Sequence, residues 1–301
     1  MTGLDGTQAA SVVALHCSLG SGRQWTRLAA ALGGDRLIAP DISGYGACAI
    51  GCDWPRTLDG EIARLETQLG AAEGPIHLVG HSYGGTIAFR MATASSYAHR
   101  IRSLTLIEPV LPTLLRDTPA DARLYERFAH IAQIVSKNIS DGAVMEAIEA
   151  FMAFWAGSGP GEQFSPSGQL RMIEQADKLA CDFAAILGLG GVATAAAGLR
   201  VPTLLFSGGI SPYVTQRIVT KLASIIDRAV MHHLPTGGHL LPVTHAEQVN
   251  SEILRHIRVA DNLAKMDFVI DAESRCVARP ALASAGAPDL HLASKRPSLW
   301  E

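Results

Sequence analysis

The sequence predicts an α/β protein with a mostly parallel sheet, flanked by helices and interrupted by a helical insertion. Continuous apolar runs such as residues 11–16 indicate strands buried on both faces. These runs alternate with helical patterns, as is typical of a parallel sheet. Between Val110 and Gly198 the alternation stops and only helical patterns remain. The expected parts are a sheet domain of residues 1–109 and 199–259, a helical cap of residues 110–198 and a poorly ordered tail of residues 260–301.

Composition narrows the function classes. Hydrophobic residues make up 48% of the chain and charged residues 18%, so a sizeable core is expected. A net charge of −3 without a basic cluster argues against nucleic-acid binding. The polar first ten residues predict no signal peptide, and the five scattered cysteines predict a reducing compartment, so we expect a cytoplasmic protein.

The first part of the chain predicts four strands joined by helices. Leu58, Ile62, Leu65 and Leu69 recur at steps of four, three and four, which places them on one face of a helix. The predicted strands cover residues 11–16, 36–41, 76–81 and 103–108, and the predicted helices cover residues 23–32, 58–69 and 86–93.

The insertion and the last part of the chain carry further helical patterns. The uncharged residues 183–199 consist largely of Gly and Ala and are too few for a membrane span, so we expect a flexible return segment. After Ala260 the periodicity fails, which predicts the tail. The remaining predictions are insertion helices at 123–135, 143–155 and 169–187, strands at 201–208 and 229–234, and a closing helix at 246–259.

Residues 76–85, Ile-His-Leu-Val-Gly-His-Ser-Tyr-Gly-Gly, carry the clearest chemical signal. An apolar strand runs into Gly80-x-Ser82-x-Gly84, and a helical pattern follows. This order is typical of a nucleophile elbow, whose tight turn exposes the serine hydroxyl. Over residues 11–258 the chain resembles the α/β-hydrolase superfamily, in its serine esterase and haloperoxidase-like branch, and this resemblance implies an α/β-hydrolase fold.

The resemblance also implies a histidine base and a carboxylate. His239, in Gly-Gly-His-Leu-Leu-Pro after the last predicted strand, matches the position of the family's base. The usual acid position holds Ser211, which cannot carry a negative charge beside an imidazolium. Glu108 ends the strand after the elbow strand and is the expected acid instead. The alternative is that Glu108 only forms a salt bridge to the cap.

The resemblance further implies two backbone N–H donors for an oxyanion, from Tyr83 and from Ser18. Cys17 stands where the family's loop usually has Gly, and we interpret it as a small buried filler. Phe151, Phe154 and Trp155 in the cap are candidates for an acyl pocket. Packing of the same helix face on the core is the alternative interpretation.

Together these features predict a cofactor-independent serine hydrolase that cleaves carboxylic esters through an acyl-enzyme. C–C bond hydrolysis, lactone hydrolysis and perhydrolysis use the same residues and stay open, as does a non-catalytic ligand-binding role suggested by Ser211. Dehalogenase chemistry would need Asp at position 82. We expect a small-molecule ester or related acyl substrate, no metal, no nucleic acid and no membrane insertion; the sequence leaves the oligomeric state open.

Overall fold

Six parallel strands form one sheet in the order β2-β1-β3-β4-β5-β6. The computed structural model describes residues 10–33, 36–48, 54–70, 74–116, 118–157 and 165–277, with side chains as far as Met266. The strands are β1 Ser11–Leu15, β2 Leu37–Ile38, β3 Ile76–His81, β4 Ile101–Ile107, β5 Thr203–Gly208 and β6 Ala229–Leu234.

Eleven α-helices surround or extend this sheet in the described residues. They are α1 Thr26–Leu32, α2 Leu58–Leu69, α3 Tyr83–Ala94, α4 Pro119–Ser140, α5 Val144–Ala156, α6 Pro166–Glu174, α7 Ala176–Gly188, α8 Val192–Gly198, α9 Tyr213–Ile225, α10 Leu241–Thr244 and α11 Ala246–Val277.

The alternation of side chains along β1 shows how the sheet is buried on both faces. Val13 and Leu15 join the core that α2, α3 and α9 cover. Val12 and Ala14 face the opposite core, which α1 and α11 cover. Burial on both faces explains why the strand consists of a continuous apolar run.

The strand register gathers the ends of three strands at one edge of the sheet. Leu15 of β1 pairs with Gly80 of β3, and His81 of β3 pairs with Ile107 of β4. The loop after β1, the turn at Ser82 and the residue after β4 therefore leave the sheet side by side. In open parallel sheets, this carboxyl edge is where ligands bind.

Several element boundaries differ from the expected ones. The second strand is only Leu37–Ile38, because Pro40 offers no N–H to a sheet ladder. The first helix is split into a 3-10 turn at Gly22–Trp25 and α1. The third helix of the insertion is divided near Gln175 into α6 and α7.

The expected flexible segment at residues 183–199 is instead mostly helical, which corrects that prediction. Its alanines favour helix, and Gly191 adopts a left-handed φ of 68° where α8 begins. Helix α8 packs against α3 and α9. In the described part of the chain no single helix is long and apolar enough to cross a membrane, although α7 and α8, bent by 74°, pass that test as a pair.

The closing helix is also longer than expected. Helix α11 runs to Val277 rather than ending near residue 259, since residues 260–277 contain neither Pro nor Gly. The chain forms two compact units, Met1–Asn262 and Leu263–Glu301. Residues 260–277, where we expected the tail to begin, are thus helical, and the remainder of the expected tail, residues 278–301, lies outside the described residues.

Candidate active site

Ser82 occupies a strained turn between a strand and a helix. Strand β3 ends at His81, α3 begins at Tyr83, and Ser82 between them has φ 55° and ψ −119°. A β-carbon at Gly80 would collide with the carbonyl oxygen of Gly84, so the turn can close this tightly only with glycine. This geometry is that of a nucleophile elbow.

A continuous hydrogen-bonded chain joins Ser82, His239 and Glu108. The hydroxyl of Ser82 lies 2.9 Å from Nε2 of His239, to which it can donate. The Nδ1 of the same ring lies 2.7 Å from Oε2 of Glu108. All three side chains are buried, and they come from three separate turns at the same edge of the sheet.

Glu108 is held in place by its backbone and by its second oxygen. Its φ is 43°, in the left-handed region that residues other than glycine seldom adopt. Its Oε1 accepts a hydrogen bond of 2.7 Å from the backbone N–H of Gly208. By contrast, the buried hydroxyl of Ser211, at the family's usual acid position, has no hydrogen-bond partner among the described residues.

Two further contacts hold His239. The Nε2 of His81 lies 2.7 Å from the carbonyl oxygen of His239 and donates to it. Burial, followed by the nearby His239, lowers the pKa of His81 well below its ordinary value, so this ring stays neutral. On the other side the Trp155 ring stacks on the His239 ring, with centroids 4.0 Å apart and planes inclined by 17°.

Ser18 and Tyr83 meet Ser82 around a small pocket. The three residues line a space of about 10 Å³, which is room for about one oxygen-sized group. Tyr83 is the first residue of α3, so its backbone N–H belongs to the unpaired first turn of a helix. The loop that carries Ser18 is strained at the next residue, Leu19, which has φ 58°.

A larger cavity of about 570 Å³ opens beside Ser82 and His239. Among the described residues its lining includes no Asp, Glu, Lys or Arg. Phe151 and Trp155 of α5 form part of its wall, as expected. The other large apolar side chains in the wall are Leu19, Met152, Met172, Ile210, Leu240 and Val243.

Phe154 does not line this cavity, which corrects the expectation for that residue. Its ring packs against Phe128 of α4, with centroids 6.0 Å apart, and against Trp155, at 5.0 Å. Phe151 and Trp155 are four residues apart and share a helix face, whereas Phe154 is turned toward the neighbouring helix. For Phe154 the core-packing alternative is therefore correct.

Sequence reasoning missed a buried ionic cluster beside the site. Lys178 and Asp182, one turn apart on α7, form an ion pair, and Glu61 of α2 lies 3.7 Å from the same lysine nitrogen. Tyr45 donates a 2.6 Å hydrogen bond to Asp182. The i, i+4 spacing of Lys178 and Asp182 was visible in the sequence, but such pairs usually lie on solvated faces, and nothing marked this one as buried.

The described residues contain no group of three or more His, Cys, Asp or Glu side chains arranged to hold a metal ion.

The fold and this edge geometry are those of an α/β hydrolase. A sequence model described as the alpha/beta hydrolase family matches residues 12–252, so the chain belongs to that family. Lipase LipV from Mycobacterium tuberculosis (strain ATCC 25618 / H37Rv) is 33% identical over 103 residues. That match spans 34% of this chain and only 38% of the lipase.

Solved structures show the same fold at low sequence identity. MenH from S. aureus superposes with a TM-score of 0.65 and 20% identity, covering 84% of this chain and 94% of that chain. A bromoperoxidase from Bacillus anthracis gives a TM-score of 0.63 and 21% identity, covering 84% of this chain and 93% of the bromoperoxidase. At these identities the likeness extends to the fold alone.

Proposed function

We propose that this hydrolase-family protein cleaves carboxylic esters through an acyl-enzyme formed on Ser82. The observation that carries the proposal is the hydrogen-bonded chain from Ser82 through His239 to Glu108. A serine hydroxyl is a weak nucleophile until an adjacent base removes its proton. The 2.9 Å contact to Nε2 of His239 provides that base within hydrogen-bond reach.

In the first half-reaction the Ser82 oxygen attacks the ester carbonyl while His239 takes the hydroxyl proton. The positive imidazolium then lies between the Glu108 carboxylate and the face of Trp155, and both favour the charged ring. The oxyanion enters the small pocket beside Ser18 and Tyr83, whose backbone N–H groups would donate to it. His239 then protonates the leaving alcohol, and the acyl group stays on Ser82.

In the second half-reaction water replaces the alcohol. His239 takes a proton from the water while the water oxygen attacks the acyl carbon. His239 then returns a proton to the Ser82 oxygen as the carboxylic acid leaves. The hydroxyl of Ser82 is thereby regenerated.

The cavity favours an uncharged, apolar acyl or alcohol group. Much of its wall consists of aromatic, aliphatic and thioether side chains, with Ser21, Gln24, Thr236, Thr244 and His245 as polar members. The described lining has no Asp, Glu, Lys or Arg to pair with an ionic substrate. A non-catalytic ligand-binding role, which Ser211 suggested, is less well supported because Glu108 supplies the carboxylate that Ser211 lacks. Turnover of p-nitrophenyl butyrate separates the two roles.

The nucleophile is tested with Ser82→Ala. We expect the variant to lose ester turnover and labelling by a fluorophosphonate probe while its circular dichroism spectrum and Tm stay close to those of the wild type. Because the hydroxyl is removed but the buried turn stays, loss of activity would not come from unfolding. Labelling of the folded variant at another serine would contradict the proposal.

A further inference from the structure

Asp182 connects the helical insertion, residues 110–198, to the loop after β1. The carboxylate lies on α7 and is 1% exposed. Its Oδ2 accepts hydrogen bonds from the hydroxyls of Ser18 and Tyr45, each 2.6 Å long, and its Oδ1 pairs with Lys178. Hydrogen bonds to an ionised acceptor are short and stronger than neutral ones, so Ser18 is firmly tied to α7.

The same ion pair also touches the residue that follows Ser82. The Lys178 nitrogen lies 4.9 Å from the centre of the Tyr83 ring. Burial, followed by the negative charge of Asp182, raises the pKa of the Tyr83 hydroxyl well above its ordinary value, so the ring stays neutral beside the pair. The side chains of both expected oxyanion donors, Ser18 and Tyr83, therefore rest on one fixed pair of charges.

Stability alone does not account for this pair. Lys178 is fully buried, and the cost of removing two charges from water commonly offsets their attraction, so packed apolar side chains would serve stability as well. What the pair adds is a fixed hydrogen-bonding direction. Ser18 needs such a support because Leu19 beside it is strained, and strained backbone persists only where surrounding contacts hold it.

We propose that the Lys178–Asp182 pair is a positioning element that holds Ser18 and Tyr83 so that their backbone N–H groups converge on the oxyanion. Asp182 also lines the small pocket, but Ser18, Tyr45 and Lys178 occupy its two oxygens, so the pair acts through Ser18 and Tyr83. Because α7 belongs to the helical insertion, the packing of the insertion on the sheet domain controls the geometry of the oxyanion pocket. The inference rests on the proposed function, since it assigns a role in the same reaction.

The sharpest test is Ser18→Ala, which keeps the backbone N–H and removes only the hydroxyl that Asp182 holds. We expect kcat for p-nitrophenyl butyrate to fall about 10- to 100-fold, less than the 10²- to 10³-fold typical of a deleted donor. KM should change less than about threefold, because the loosened contact matters mainly in the transition state. Affinity for butaneboronic acid, which forms a tetrahedral adduct on Ser82, should fall by the same factor as kcat.

Ser103→Ala is the matched control. Ser103 is also a buried serine whose hydroxyl makes a hydrogen bond, 2.9 Å to His77, but it lies on β4 away from the elbow. We expect Ser103→Ala to lower the Tm about as much as Ser18→Ala does and to leave kcat and boronate affinity unchanged. Asp182→Asn, which removes one of the two carboxylates beside Lys178 and leaves Glu61 at 3.7 Å, should lower kcat further; if it does not fold, Ser18→Ala still decides the question.

The outcomes are distinguishable. If Ser18→Ala keeps both kcat and boronate affinity within about threefold of an active wild type, or if Ser103→Ala loses them equally, the positioning role is wrong while the proposed function stands. A wild type that neither hydrolyses the ester nor binds the boronate would overturn the proposed function and this inference together.

Discussion

Ser82 and Glu108 share an unusual backbone state. Both are residues other than glycine with a positive φ, 55° and 43°, and each follows the last residue of a strand, β3 or β4, which are neighbours in the sheet. Such conformations cost on the order of 1–3 kcal/mol each and concentrate at functional sites. Backbone hydrogen bonds from Ser82 to Ile107 and from Glu108 to Phe206 oppose this cost.

We predict that Glu108→Gln keeps the fold and lowers kcat on the order of 10²- to 10⁴-fold. Gln has nearly the same shape, but it lacks the negative charge that stabilises the imidazolium of His239, and the triad carboxylate of a serine protease accounts for about 10⁴-fold. Steady-state kinetics with p-nitrophenyl butyrate and a Tm measurement test this. Near wild-type kcat would show that Glu108 is not the acid.

Ser211 provides the control for this assignment. Because its hydroxyl has no partner in the described residues, Ser211→Ala should change kcat by less than about tenfold. The double variant Glu108→Gln/Ser211→Asp should recover part of the lost activity, since it restores a carboxylate at the family's commoner position. A double variant no better than Glu108→Gln would show that position 211 cannot reach His239 in this chain.

At the scale of the secondary-structure elements, α5 covers one face of the His239 ring. It places Trp155 against the face of His239 while Phe154, the preceding residue, packs on Phe128. Trp155 therefore belongs to both the site and the core, since its ring also packs on Phe128, whereas Phe154 packs in the core without lining the cavity. A flat ring at 4.0 Å restricts the imidazole to the plane in which it reaches Ser82 and Glu108.

We predict that Trp155→Ala lowers kcat more than it changes the preference among p-nitrophenyl esters of graded chain length. Loss of a cation–π contact worth about 0.5–2 kcal/mol corresponds to roughly a 2- to 30-fold decrease. Phe154→Ala is the matched control, because it removes a ring that packs on Phe128 and on Trp155 but contacts neither His239 nor the cavity. It should lower the Tm and leave kcat nearly unchanged; equal effects of both variants on kcat would show that the stack of Trp155 on His239 does not assist the reaction.

The elements that could be predicted are those whose signal is local. Strand β6 was predicted with its observed bounds, and the Gly80-x-Ser82-x-Gly84 pattern marked the sharp turn before α3. The break between α6 and α7 near Gln175 depends on tertiary packing. The extension of α11 depends on helix propensity in a stretch that has no hydrophobic periodicity. The contacts of Asp182 with Ser18 and of His81 with His239 join residues more than 150 positions apart, which no local pattern encodes.

At the scale of the whole molecule, buried neutral histidines make stability depend on pH. His16 at the end of β1 and His256 on α11 are both buried, and burial lowers the pKa of each from 6.5 to about 4. Each ring is tied to backbone: Nε2 of His16 accepts from the N–H of Ile42, and Nε2 of His256 donates to the carbonyl of Pro202. Protonation would charge these rings in the core.

We predict that the free energy of unfolding is highest above pH 6.5 and falls as the pH decreases toward 4. In the unfolded chain these histidines bind protons below about pH 6.5, whereas in the folded chain they resist protonation down to about pH 4, so acid favours unfolding. Each ring should account for on the order of 2 kcal/mol by pH 5. Urea unfolding at pH 7.5, 6 and 5 measures the change.

His256→Gln, which can still donate to Pro202 but does not titrate, should make the decrease shallower, whereas His130→Gln, at an exposed position on α4, should not. An equal slope for wild type and His256→Gln would show that other groups cause the acid sensitivity.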